Sequence, residues 1–131
     1  MKYFTIKEMC SSSTAQAKGI DNTPTAETIS NLTELINNVL DPLREMYGKP
    51  IRVSSGYRSE QLNRNVNGSK SSQHRLGMAA DITTGDVIEN RKLFQLIQLN
   101  LPFDQLIDEK NFSWVHVSYN PKGNRKQILK L

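Results

Sequence analysis

An α+β domain with a small, mainly antiparallel sheet and helices on one face is the fold this sequence predicts. Three observations carry that prediction. Apolar residues from Ile29 to Met46 recur at helical spacing. Short alternating segments at 51–54 and 114–119 read as strands with a period of two. The order of these signals is helix, strand, helix, then a hairpin, with one more strand threaded between.

Each element follows from its residues. Segment 4–9 fits a strand or the first turn of a short helix, with Thr5 as N-cap and Glu8 in the capping-box position. The polar stretch through Asn22-Thr23-Pro24 reads as loop or broken helix. Segment 25–47 is the clearest helix, because Ile29, Leu32, Leu35, Ile36, Val39, Leu40, Leu43 and Met46 draw one stripe. Pro42 lacks the N–H that the helical ladder needs, which predicts a kink or break near Leu40-Asp41. Gly48 and Pro50 end the helix. Segment 51–54 is a strand, 55–59 a turn, 60–66 a short helix and 67–72 a flexible loop. The small residues of 78–82 suit a closely packed strand. A second helix covers 87–99 with Leu93, Leu96 and Ile97 buried, and Pro102 stops it. Segments 103–108 and 114–119 are apolar-rich strands joined by a hairpin loop, 122–125 is a turn, and 127–129 is an edge strand.

The chain's 131 residues make one domain, 1–131, with a sizeable core. A hydrophobic fraction of 37% and a charged fraction of 23% suit a globular protein. A net charge of +4, with scattered basic residues, fits a polyanionic partner such as a bacterial cell wall without requiring one. No aromatic-rich basic stripe is present, so a nucleic-acid partner is not expected. Cys10 is the one cysteine, which excludes an intrachain disulfide and reads as a buried or incidental thiol. The first nine residues lack a signal peptide's apolar run, and no segment is apolar enough to span a membrane. The expectation is a monomer made in the cytoplasm.

The chemistry gathers around the two histidines. His74 precedes Asp81 by seven residues, and Gly77 between them makes the segment a loop followed by a strand. A turn at Gly77 can then bring both side chains to one point. His116 lies on a strand and shares a face with Trp114 and Ser118, opposite Val115 and Val117. Two imidazoles and one carboxylate are a zinc set that leaves a fourth position open for water. Hydrolysis also needs a general base and a cation for the developing oxyanion. If Ile107 pairs with His116, Glu109 stands opposite Trp114 and projects on the His116 side. A register slipped by one residue would put Asp108 there instead. Arg58, in the turn after the first strand, is the candidate cation, because a guanidinium suits a carboxylate or oxyanion bidentately.

Three motifs, Ser54-Ser55-Gly56-Tyr57-Arg58-Ser59, Ser72-x-His74-x-x-Gly77-x-Ala79-x-Asp81 and Trp114-Val115-His116-Val117-Ser118, resemble those of zinc D-alanyl-D-alanine carboxypeptidases and related phage endolysins. That superfamily includes D-Ala-D-Ala dipeptidases and is related in fold to the hedgehog signalling domain. The resemblance runs from the helix before Tyr47 to Tyr119. It implies that His74, Asp81 and His116 bind zinc, that Arg58 holds substrate or oxyanion, and that Ser72 and Gln73 line the pocket. It implies as substrate a peptidoglycan stem peptide, cut next to D-alanine or another D-centre. It also implies a phage or prophage lysis enzyme that acts on the wall after release. One position departs from the pattern. Many members carry an acid three positions before the second histidine, where this chain has Ser113. Some single-domain members look as if they carry it at the end of the preceding strand, where Glu109 stands. The alternative is a zinc-containing wall-binding module without catalysis.

Overall fold

A computed structural model describes residues 1–131. Five strands form one sheet: β1 (Arg52–Ser55), β2 (Ala79–Thr83), β3 (Gln105–Glu109), β4 (Trp114–Ser118) and β5 (Gln127–Lys130). Their order across the sheet is β1-β2-β4-β3-β5, and only the β3–β5 pair is parallel. The α+β expectation holds. Alternation along the strands gives the sheet two unlike faces. Ala80, Ile82, Leu106, Val115 and Val117 point to the core, where Leu32, Leu35, Ile36, Val39, Leu40, Leu43, Leu93 and Ile97 are fully buried against them. Asp81, His116, Ile107 and Glu109 take the other face, which carries no such cover.

The helices are α1 (Ile6–Cys10), α2 (Ser13–Lys18), α3 (Ala26–Leu35), α4 (Asp41–Tyr47), α5 (Glu60–Asn65) and α6 (Val87–Asn100). Thr5 caps α1 by accepting from the Glu8 N–H, so segment 4–9 resolves to helix and not to strand. Ser12 caps α2 inside the stretch read as loop or broken helix. Between α3 and α4 the chain does not break at Pro42. A π-turn over Ile36–Leu40 comes first, and the Asp41 N–H reaches back to Ile36 O. The wider turn accommodates the residue whose N–H is missing, and the chain stays helical. The end members of the predicted stripe, Ile29 and Met46, are 39% and 42% exposed, while the six between are fully buried. Gly48 closes α4 in the left-handed conformation that Schellman-type ends favour.

The β3–β4 hairpin adopts the register that pairs Ile107 with His116 and Glu109 with Trp114. Its turn is unusual, since Lys110, Asn111 and Phe112 all have positive φ. Three contacts hold it there. The Asp108 carboxylate accepts from the Phe112 N–H at 2.6 Å, Asn90 donates to Phe112 O at 2.8 Å, and the Phe112 ring meets Phe94 edge-on at 5.5 Å.

Candidate metal centre and its cleft

His74 sits on a short 3-10 turn, Gln73–Leu76, between a Ser72 cap and Gly77. The Ser72 hydroxyl accepts from the His74 N–H at 3.2 Å. Gly77 has φ +74, and a Cβ there would meet Thr28 O at 2.8 Å, so both backbone shape and space call for glycine. The turn aims His74 at β2, as the break at Gly77 predicts. Asp81 lies mid-β2 and pairs across to His116 on β4. The three side chains converge, with one ligand atom from each lying within 4.8 Å of the others. His74 Nε2 and His116 Nδ1 stand 3.3 and 2.9 Å from the same oxygen, Asp81 Oδ1.

The bonds behind the cluster define what it can hold. His74 Nδ1 donates to Gly56 O at 2.7 Å, and the side chain is only 3% exposed. With its proton on Nδ1, a neutral His74 turns the lone pair of Nε2 toward a carboxylate oxygen. Two acceptors then face each other, and a cation between them resolves the conflict. Burial opposes the charge on Asp81, yet the close approach of His116 and His74 holds its carboxyl well below the ordinary carboxylate range. Two imidazole nitrogens and one ionised carboxylate fit zinc as a donor set, and one side of the cluster opens to a cleft.

That cleft is about 570 Å³ and brings together nearly every residue singled out in the sequence: Arg58, Ser72, Gln73, His74, Asp81, Glu109 and His116. Glu109 is half-buried at the end of β3. Burial, then the negative charge of Asp81, push its carboxyl above the ordinary range. Asp108 does not share this position. It pairs with Val115, faces the helices and is 5% exposed, so the slipped register that would make it the base does not occur. Ser113 is exposed, and its hydroxyl donates to Lys110 O at 2.7 Å outside the cleft.

Arg58 is fixed from two sides. Its N–H donates to His74 O at 3.0 Å and its Nη2 to the Ser72 hydroxyl at 3.3 Å. Burial lowers its pKa from the ordinary arginine value, and the charge of Asp81 opposes this. Four buried side-chain polar atoms lack a protein partner, and three belong to this cleft: Arg58 Nε, Gln73 Oε1 and Trp114 Nε1. Such orphans are rare in folded proteins and gather where something else binds.

The sequence reading passed over four residues that position the site. Asn22 donates to Cys10 O and Tyr57 O and accepts from the Ser59 N–H at 2.7 Å, which pins the turn before and after Arg58. Asn90 braces the hairpin beside Glu109, and its signal was visible. It stands three and seven residues before Leu93 and Ile97, a polar residue on a buried helical face. Asp104, which is buried, clamps the exposed Arg125 and accepts from Gln73, with no periodicity to mark the pair.

A family model described as peptidase M15 matches residues 2–118, and the chain belongs to that family of metallopeptidases. The match includes every residue of the cluster and reaches further toward the N-terminus than the three motifs do. No curated protein matches the chain. No helix is long and apolar enough to cross a membrane.

Proposed function

We propose that this protein is a zinc-dependent peptidase that cleaves peptidoglycan stem peptides next to D-alanine or another D-centre. The carrying observation is the convergence of His74, Asp81 and His116 at the floor of a cleft that also holds Glu109 and Arg58. His74 Nε2, Asp81 and His116 Nδ1 would hold the metal. Bound there, zinc supplies Lewis acidity toward a peptide carbonyl and lowers the pKa of water. Glu109, its pKa raised, takes a proton from the attacking water and passes it to the leaving amine. Arg58, held by Ser72, offers donors to the carbonyl oxygen as negative charge develops on it. His74, tied to Gly56 O, keeps its Nε2 aimed inward throughout. The wall-degrading role, as a lysis enzyme released from the cytoplasm and working as a monomer, belongs to the same reading.

Glu109 in the cleft favours catalysis over a silent binding module, because Ser113 then replaces nothing that the chain lacks. The test is Glu109→Gln. Zinc content by elemental analysis should stay equal to wild type, while hydrolysis of a purified stem pentapeptide falls by about 10²- to 10⁴-fold. Wild-type protein that holds zinc and cleaves no stem peptide would turn the reading toward the binding module.

A further inference from the structure

We propose that Arg125, clamped by Asp104 and braced through Gln73, is a carboxylate-binding subsite of the cleft on the β3–β5 side of His116. This rests on the peptidase reading and deepens it, since it names a group on the substrate that the protein recognises. Arg125 lies ahead of β5 and beyond residues 2–118 that match the family.

The guanidinium is used on one edge only. Arg125 Nε donates to Asp104 Oδ1 at 3.0 Å and Nη2 to Asp104 Oδ2 at 2.8 Å, while the Arg125 backbone N–H adds a bond to Oδ1 at 2.8 Å. The outer edge, formed by an N–H of Nη1 and the second N–H of Nη2, has no bond within the protein. It belongs to a side chain that is 59% exposed and lines the cleft. Two parallel N–H groups held in a plane are the fork that a second carboxylate accepts bidentately. The clamp is rigid because Asp104 is not free to move: its side chain is 3% exposed, it also accepts from Gln73 Nε2 at 2.9 Å, and its N–H donates to Ser118 O at 2.8 Å. Gln73 is the neighbour of His74, so the fork and the metal cluster share one turn.

Position separates this arginine from the other cleft cation. Along β3 the cleft-facing residues are Gln105, Ile107 and Glu109, and Ile107 pairs with His116. At about 3.3 Å per residue, the Asp104–Gln105 end stands roughly 7–10 Å from the level of His116, on the side away from Glu109. That offset is about two to three residues of an extended peptide. Arg58 reaches the cluster from the β1 edge instead. A stem peptide offers two carboxylates to such a fork: the α-carboxylate of its γ-linked D-glutamate and the C-terminal carboxylate.

The experiment uses the zinc-loaded full chain as wild type, Arg125→Ala and Arg125→Lys. The probes are the pentapeptide L-Ala-γ-D-Glu-L-Lys-D-Ala-D-Ala, its D-glutamate α-amide and its C-terminal amide. Wild type should lose about ten-fold or more in kcat/KM on one of the two amides, and which one identifies the carboxylate. Arg125→Ala should lose a similar factor on the free acid and no longer distinguish it from that amide. Arg125→Lys should recover part of the distinction. A purely structural arginine would lower all three peptides by one common factor, and an unchanged acid-to-amide ratio in Arg125→Ala overturns the subsite. Wild type that treats acid and both amides alike overturns it as well. If zinc-loaded wild type cleaves none of the peptides, the peptidase reading fails on its own. Dissociation constants from calorimetry then decide the subsite, and equal values for acid and amides refute it.

Discussion

The cleft has two walls built on different terms. Asp81, His116 and Glu109 stand on adjacent strands, and alternation puts them on one face once the strands are in register. A ladder of backbone bonds holds each of them. Arg58, Ser72, Gln73 and His74 stand on turns, and single bonds to distant parts of the chain place them: His74 to Gly56 O, Arg58 to His74 O, Gln73 to Asp104. Substitutions on the strand wall should therefore remove chemistry and spare the fold. Those behind the turn wall should move chemistry by moving the backbone.

The largest effect is expected on the strand wall. Asp81→Ala and His116→Ala each leave two of three donors, so bound zinc and hydrolysis should both be lost. Zinc at a hundred times its Kd should stabilise wild type by about 2.7 kcal/mol and these variants hardly at all. Elemental analysis and melting curves with and without zinc measure this. A variant that keeps full zinc would remove that residue from the ligand set.

Gly56→Ala probes the turn wall without touching a proposed ligand. A Cβ at Gly56 would sit 2.2 Å from Met9 O, backbone that cannot rotate away. The end of β1 has to shift, and Gly56 O moves with it off His74 Nδ1. Zinc affinity should fall about 10- to 100-fold, as when an outer partner of a ligating histidine is lost. Stability of the zinc-free protein should fall by about 1–3 kcal/mol. Chelator competition and urea unfolding report the two effects, and unchanged affinity would show that the Gly56 bond does not orient His74.

Asp104→Asn tests the brace behind the turn wall by pH. Hydrogen bonds from Arg125, working against burial, push the Asp104 carboxyl from an ordinary 3.8 down to about 2. A depressed folded-state pKa means that the stabilisation is complete above the unfolded value and disappears as pH falls through the folded one. Wild type should exceed Asp104→Asn by about 1–2 kcal/mol above pH 4, a figure discounted for the exposure of Arg125. The gap should narrow steadily toward pH 2 in melts of the zinc-free protein. A gap that does not change with pH would mean that the charge of Asp104 contributes nothing.

The two walls also differ in how far the sequence revealed them. Alternation around His116 narrows the hairpin to two registers, and the one that the structure adopts pairs Ile107 with His116 and puts Glu109 on the cleft face. Strand geometry is local and periodic, so a short segment carries it. The turn wall has no period. Ser72 and Gln73 are reached only through family resemblance and Arg58 only as a guanidinium in a turn, and the bonds that place this wall come from Gly56, Asn22 and Asp104, each set by tertiary packing. The π-turn before Pro42 belongs with these, because a missing N–H predicts a disturbance and the surrounding core decides its form.

Ser113 gives the smallest expected effect and the sharpest test of where the acid lies. The left-handed turn at 110–112 carries Ser113 away from the cleft and leaves Glu109 in it. Ser113→Ala removes one exposed bond to Lys110 O, worth about 0.5–1 kcal/mol. Activity on the stem pentapeptide should stay within about two-fold of wild type, since no reacting atom is within reach of that hydroxyl. For the same reason Ser113→Asp should not restore activity to Glu109→Gln. A ten-fold loss in Ser113→Ala, or rescue by Ser113→Asp, would place the proton-transfer group in the turn and displace Glu109 from the mechanism.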